Sequence, residues 1–331
     1  QINLTKFVDP FIGTGGHGHT YPGATVPFGM LQVSPDNGTS GWDWCSGYHY
    51  SDSISIGFSH LHLSGTGIGD LTDIRLMPIN KKVDLAAEVK TRDDVPYKSF
   101  YSHNEENASP GYYSVQLKDF NIKAELTSNL RTGFHKYTFA ENDTQSVVID
   151  LGFAINWDKT TASKISVNDA ATISGFRHST GWAKNQKVFF VARFSKPIEK
   201  YELVNDGNYK SDVATVEGKK AFAQLYFNSE NNNELLVKVA VSSVSEENAL
   251  ENLSKEEISF ETVKNKASEI WNENLTNITI ETDNEDLKTI FYTALYHTQV
   301  APVTFSDVNN EFRKENDEIV KAENYTAYST L

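Results

Sequence analysis

AFAQLYF (221–227) and ELLVKVAVS (234–242) alternate apolar and polar residues with a period of two. Successive side chains of a strand point to opposite faces, so this pattern buries one face of a sheet and wets the other. The pattern recurs in YYSVQL (112–117), NIKAEL (121–126), GFHKYTF (133–139), SVVIDLG (146–152) and KVFFVARF (187–194). Turn-rich gaps (SPG, ENDT, NDGN and NSENNN) separate these runs. Many short strands between Tyr112 and Val244 predict a mainly β fold, a large antiparallel β-sandwich.

Downstream the period becomes helical. SFETVKNKASEIWNENL (259–275) places Phe260, Val263, Ala267, Ile270 and Trp271 on one face. Asp283 is the expected cap of a second helix, with Leu287, Ile290, Phe291, Ala294, Leu295 and Thr298 as its stripe and Pro302 just past its end. The change of period puts a boundary near 245–260. The last stretch, VTFSDVNNEFRKENDEIVKAENYTAYSTL, has no packed pattern of its own and reads as the start of something that continues past Leu331. The expected organisation is a β-sandwich over 1–245, a helical linker over 246–300 and a lead-in over 301–331.

Composition narrows the function. The chain has 331 residues, 39% hydrophobic and 22% charged, with a net charge of −14. Its basic runs are pairs such as Lys81-Lys82 and Lys219-Lys220. Phosphate backbones and anionic lipid surfaces want clustered Lys and Arg, so nucleic acid is not an expected partner. No stretch approaches the ~20 apolar residues that span a bilayer. The single cysteine, Cys45, allows no intrachain disulfide. Gln1 in place of Met fits a removed signal peptide or a cloning boundary. The 12% aromatic content suits large sheets, and it also suits a protein that stacks sugar rings on aromatic faces.

Two stretches concentrate chemistry. GTGGHGHTYPGATVPFGM (13–30) is a Gly- and Pro-rich loop carrying His17 and His19. SGWDWCSGYHYSDSISIGFSHLHLSGTGIGDLTDIRLMP (40–78) holds Trp42, Trp44, Cys45, His49, His60 and His62. If 54–64 is one strand, Ile54, Ile56, Phe58, His60, His62 and Ser64 share a face. The two HxH pairs raise a transition-metal site, but no carboxylate or cysteine falls in a ligand register, so no metal ligand is assigned. The alternatives are hydrogen-bonded strand histidines or polar contacts to a ligand. SGTGIGD lacks a P-loop lysine and a complete dinucleotide fingerprint. Cys45 reads as a nucleophile or, more commonly for a lone cysteine, as a buried inert group. Asp9, Asp43, Asp70 and Asp73 are the candidate carboxylates for general acid–base work, and sequence does not pair them.

VDPFIGTGGHGHTYPGATVPFGMLQVSPD (8–36), SGYHYSDSISIGFSHLHLSGTGIGDLTDIRLMP (46–78) and IFYTALYHTQVAPVTFSDVNNEFR (290–313) together resemble glycoside hydrolase family 92, the calcium-dependent exo-α-mannosidases. The resemblance implies an N-terminal β-sandwich, a helical linker and the start of an (α/α)6 barrel that this chain does not contain. It implies an exo-acting, inverting α-mannosidase, with an α-1,2 preference, that trims terminal mannose from mannan or high-mannose N-glycans. The acid, the base and most calcium ligands are expected beyond Leu331, so no catalytic residue is carried over. By motif position the substrate-binding candidates are Gly15, Gly16, His17, Trp44, Cys45, His60 and His62, with Trp42 and Asp70 beside them. The expected partners are mannose-containing glycans and the chain's own missing barrel. The resemblance also implies a periplasmic, secreted or cell-surface bacterial protein. The alternative function is a stand-alone carbohydrate-binding β-sandwich without catalysis.

Overall fold

A computed structural model describes residues 3–230, 232–253 and 259–330. Residues 254–258, inside the expected linker, and Asn231, in the NSENNN gap, lie outside the described residues.

The chain is mainly β, and its strand pairs are antiparallel. Seven strands form one sheet, in the spatial order Ser34–Asp36, Gly57–Ser59, Arg75–Ile79, Gln145–Asp150, Ala221–Phe227, Ile198–Asn205 and Asn208–Lys210. Nine form the other: Thr215–Gly218, Lys159–Val167, Thr172–Thr180, Gln186–Phe194, Glu234–Ser242, Thr132–Thr138, Ile122–Ser128, Tyr112–Leu117 and Glu106–Ser109. Their inner faces share one core, with Phe58, Leu76, Val147 and Leu225 from the first sheet and Tyr113, Leu126, Tyr137, Phe190 and Val237 from the second. This is the face-to-face packing of a sandwich. Ala221–Phe227 and Glu234–Ser242 begin and end where their period-two runs do.

The outer face of the nine-stranded sheet is covered too. Helix α1, Glu246–Asn252, sets Ala249 with Leu253 against Val191 and Ala240. Helix α2, Phe260–Leu275, sets Phe260 and Val263 against Phe134, with Tyr112 and Leu236 alongside. Ser259 caps α2 by accepting from the Thr262 amide. Trp271 is fully buried and donates from Nε1 to the carbonyl of Thr25 at 2.7 Å, which holds the Gly-rich loop on the helix.

Three expectations are corrected. The cap of helix α3, Glu285–His297, is Asn284 rather than Asp283. Its buried face is Tyr292, Thr293 and Tyr296, while Leu287 and Ile290 of the expected stripe are 53% and 59% exposed. The reason is the N-terminal segment: Leu4 and Val8 pack with Trp271, Leu275, Tyr292 and Tyr296 in one cluster, which turns α3 by its tyrosine side. The 54–64 stretch is not one strand. It breaks into Ile54–Ser55 and Gly57–Ser59, which end before His60 and His62, and residues of both parities are buried, so Ile54, Ile56, Phe58, His60, His62 and Ser64 do not form one strand face.

The lead-in also packs, by hydrogen bonds rather than by apolar period. Asp307 accepts from Ser242 Oγ at 2.6 Å and from Asn248 Nδ2 and Asn252 Nδ2 at 2.9 and 2.6 Å. Arg313 donates to the carbonyls of Ser243 and Val244. Polar residues that each satisfy a buried partner leave no hydrophobic pattern to read.

Trp271→Ala is expected to lower unfolding free energy by about 3–5 kcal/mol, the cost of a large core truncation. Trp271→Phe keeps an aromatic ring and loses the bond to Thr25, so it is expected to cost about 1–2 kcal/mol. Urea denaturation of the two variants beside the wild type checks the order.

Candidate functional site

The Gly-rich loop closes on itself. Thr20 donates its amide to Gly13 O at 3.2 Å, and Gly18 passes so near that a Cβ on it would lie 2.1 Å from that same oxygen. Only glycine permits this approach. The turn puts His19 at φ +57°, an uncommon conformation for a side-chain-bearing residue, and the Gly65 amide fixes the His19 carbonyl at 2.8 Å. Further along, Phe28 donates to Gln299 O and Met30 to Leu130 O, so the loop is moored to the turn after α3 and to the sandwich.

At the loop tip, Asp43 Oδ1 lies 2.6 Å from His17 Nδ1 and 3.3 Å from His19 Nε2. The His17 hydrogen bond holds the Asp43 carboxyl below the usual carboxylate range. Asp43 sits in a short 3-10 helix, Trp42–Trp44, which brings the Trp42 ring against both histidines. The ring meets the edge of His19 with centroids 4.4 Å apart and remains 56% exposed. The His17 side chain is 73% exposed. Gly15 and Gly16 are exposed beside it, and Gly16 O accepts from His49 Nε2. The tip thus gathers Gly15, Gly16, His17 and Trp42 on open surface.

The other candidates are withdrawn from that surface. Trp44 is half-buried and donates from Nε1 to Asp52, which also binds Arg92. Cys45 is buried, its thiol donates to Thr66 O, and burial pushes it up to about 11. A thiol so raised is not a nucleophile near neutral pH. Asp70 is buried and accepts from the amides of Leu71 and Ala183, which corrects its placement as a sugar contact.

His60 is corrected likewise. It is fully buried, with Nδ1 2.6 Å from Ile74 O and Nε2 2.8 Å from His135 Nε2. A carbonyl only accepts, so Nδ1 carries the proton, Nε2 accepts from His135, and His135 Nδ1 accepts from Tyr137 Oη. Leu71, Thr72 and Ile74 all have positive φ, which is costly for such side chains. His60 holds this strained segment from behind, through Ile74 O and through its amide bond to Asp73 O.

His62 differs again. It is buried, with Nδ1 on Gln32 O and Nε2 on Asp36, yet its ring lines a cleft of about 850 Å³. Leu61, Thr66, Ile68, Trp182 and Phe305 also line that cleft, and Gly67 of the same turn packs on the Trp42 indole.

Sequence reasoning missed three features here. Asp43 acts on His17 and His19 rather than as an isolated carboxylate. Trp157 and Trp182 are 61% and 55% exposed on neighbouring turns, and Asn156 docks the first by two bonds to the Gly41 backbone. Exposed tryptophans in turn-rich gaps were the available signal. Of the candidate carboxylates, Asp73 is buried on Arg177, and Asp9 accepts from the Phe11 amide near α3. Nor do these residues fit calcium, which wants six to eight oxygens. Among the described residues the metal-type group is His17, His19 and Asp43, and two of its three donors are nitrogen.

Burial pushes His60 down to about 4 and His135 well below its usual range. Both are neutral in the fold and protonate near 6.5 when unfolded. Their contribution is present above about pH 6.5 and is lost as pH falls through the folded values. The loss from His60 alone reaches roughly 3 kcal/mol by pH 4. The stability margin of the wild type over a His60→Gln, His135→Gln double variant is therefore expected to shrink between pH 6.5 and 4 in denaturant titrations.

The chain matches known proteins along its length. The model of the glycosyl hydrolase family 92 N-terminal domain matches residues 7–242, and that of the family 92 catalytic domain matches residues 248–331. A family GH92 α-mannosidase from Bacteroides thetaiotaomicron, solved with mannoimidazole, is 36% identical, with a TM-score of 0.93 over 99% of this chain and 44% of that one. A family GH92 inverting mannosidase from the same species shares the fold, with a TM-score of 0.85 at 24% identity, over 100% of this chain and 44% of that one. An uncharacterized secreted glycosidase from Arthroderma benhamiae is 25% identical over 93% of this chain and 43% of its own length. The chain thus spans less than half the length of each of these relatives. It belongs to glycosyl hydrolase family 92, with the family's N-terminal domain over residues 7–242 and a match to its catalytic domain over residues 248–331.

Proposed function

We propose that this chain is the N-terminal part of an exo-acting, inverting α-mannosidase with an α-1,2 preference, which trims mannan or high-mannose N-glycans. The observation that carries the reading is the 36% identity, over 99% of the chain, to an α-mannosidase solved with mannoimidazole. The exposed Trp42 ring beside His17, on a loop held rigid by Gly18 and Gly65, supports a sugar-facing role for this chain. The ring offers an apolar face to sugar C–H groups, while His17 and the backbone of Gly15 and Gly16 offer polar partners.

Inversion needs one carboxylic acid at the leaving oxygen and one carboxylate activating water, about 6.5–9.5 Å apart. Asp70 and Asp73 are buried and Asp43 is engaged by His17 and His19, so the acid and base are assigned to the remainder of the catalytic domain. Calcium is proposed as a requirement of that remainder. The exposed stripe of Leu287, Ile290 and Ala294 on α3 supports a further packing partner, which this reading assigns to the same remainder. A place outside the cytoplasm, periplasmic, secreted or at the cell surface, is supported by the relative named a secreted glycosidase. No described helix is long and apolar enough to cross a membrane.

The test uses the whole protein, with the rest of its catalytic domain. On α-1,2-mannobiose, proton NMR is expected to show β-mannose as the first product. Release of α-mannose, or no hydrolysis, overturns the reading. Trp42→Ala is expected to lower kcat/KM about tenfold, the equivalent of about 1.4 kcal/mol of lost contact. An unchanged value would remove Trp42 from the sugar face.

A further inference from the structure

We infer that His17, His19 and Asp43 form a binding site for a divalent first-row transition ion of the zinc type, separate from the calcium of the proposed enzyme. The donor set decides the class of ion. Two imidazoles and one carboxylate suit zinc, nickel or copper, whereas calcium and magnesium take oxygen ligands. An HxH pair with a carboxylate and one open position is a three-ligand arrangement that zinc adopts readily.

The geometry is nearly assembled. The three ligand atoms lie within 4.8 Å of one another. Bonds of about 2.0–2.1 Å at tetrahedral angles separate neighbouring ligand atoms by about 3.3 Å. His19 Nε2 and Asp43 Oδ1 already stand 3.3 Å apart. His17 Nδ1, at 2.6 Å from the same oxygen, has to withdraw by a fraction of an ångström, and its exposed side chain is free to do so. Two ligands are fixed. His19 is buried with its backbone held by Gly65, and Asp43 is set in the Trp42–Trp44 turn. The third swings in from solvent, which leaves the fourth position facing outward for water or a ligand oxygen.

His60 and His62 take no part. Their ring nitrogens are engaged with Ile74, His135, Gln32 and Asp36 inside the sandwich. The pairing of HxH with HxH that the sequence invites is replaced by one HxH with an aspartate 24 residues beyond His19.

The test is calorimetric titration of zinc chloride into the tag-free full chain after dialysis against chelator. One site per chain with a micromolar dissociation constant is expected, and no comparable heat with calcium chloride. His17→Ala and Asp43→Asn are each expected to weaken zinc binding at least about tenfold. His178→Ala, which removes a half-buried histidine elsewhere, is expected to change nothing. His17 is exposed, so its truncation leaves folding intact, and that variant decides the matter should Asp43→Asn misfold. Copper(II) is expected to quench the wild type more than Trp42→Phe, because the ring touches both imidazoles. Absence of saturable zinc binding, or binding unchanged in His17→Ala, overturns the assignment. Neither readout involves sugar or turnover, so the outcome stands apart from that of the mannosidase test.

Discussion

The guanidinium of Arg75 is buried in the sandwich, and three elements are arranged around it. Its Nε donates to Asp36 at 2.9 Å and its Nη1 to Asp150 at 3.1 Å, while the group lies 3.7 Å from the centroid of Phe153. To reach Asp36 the side chain crosses the strand between them at Gly57, where a Cβ would sit 2.8 Å from Arg75 Cγ. Burial raises the Asp36 carboxyl, but Arg75 and the His62 hydrogen bond outweigh it, and the group stays below the usual range. A buried charge with its partner removed costs about 3–5 kcal/mol, far more than the intact pair contributes. The arrangement therefore selects one register among strands that carry little apolar pattern. Arg177 repeats the device farther along, between Asp73 and Asp158. There burial wins, and Asp73 is raised to about 6.

The same ion pairs explain what could be read without coordinates. Ala221–Phe227 and Glu234–Ser242 were legible because their two faces meet different surroundings over much of their length. Ser34–Asp36, Gly57–Ser59 and Arg75–Ile79 are buried on both faces, and two of them are built on a charge, so no period betrays them. Helix α3 was legible as a helix, but its burying face was not, because tyrosines with polar tips are buried while Leu287 and Ile290 are left out. In the site, His17 and Trp42 stood out by residue type and lie in the open. His60, Asp70 and Cys45 share the same motifs, yet they hold the loops from inside. A motif records which residues a site needs, and both kinds of need look alike in one sequence.

The two histidine pairs thus divide by function in space. His17, in the open, and His19, buried beside it, meet Asp43 at the loop tip, and His60 and His62 brace the segments that the tip rests on. Strain at Leu71, Thr72 and Ile74 is held in place by His60, and the same segment begins at Asp70, which fixes the 181–183 turn. The order of support runs from the charged interior outward, and the exposed groups come last.

The wedge of Leu4 and Val8 between α2 and α3 has a consequence for synthesis. The Leu4 amide waits for Asn272, 268 residues later, and the Asp9 amide for Thr293, 284 residues later. At ~5–20 residues per second, the first of these gaps lasts roughly 13–54 s on the ribosome. Both sheets are complete by Ser242, so the sandwich emerges with Leu4 and Val8 still unclaimed. Leu4, Phe7 and Val8 are thus made before the sandwich and find their places after it, and during that interval they are a natural handle for a chaperone.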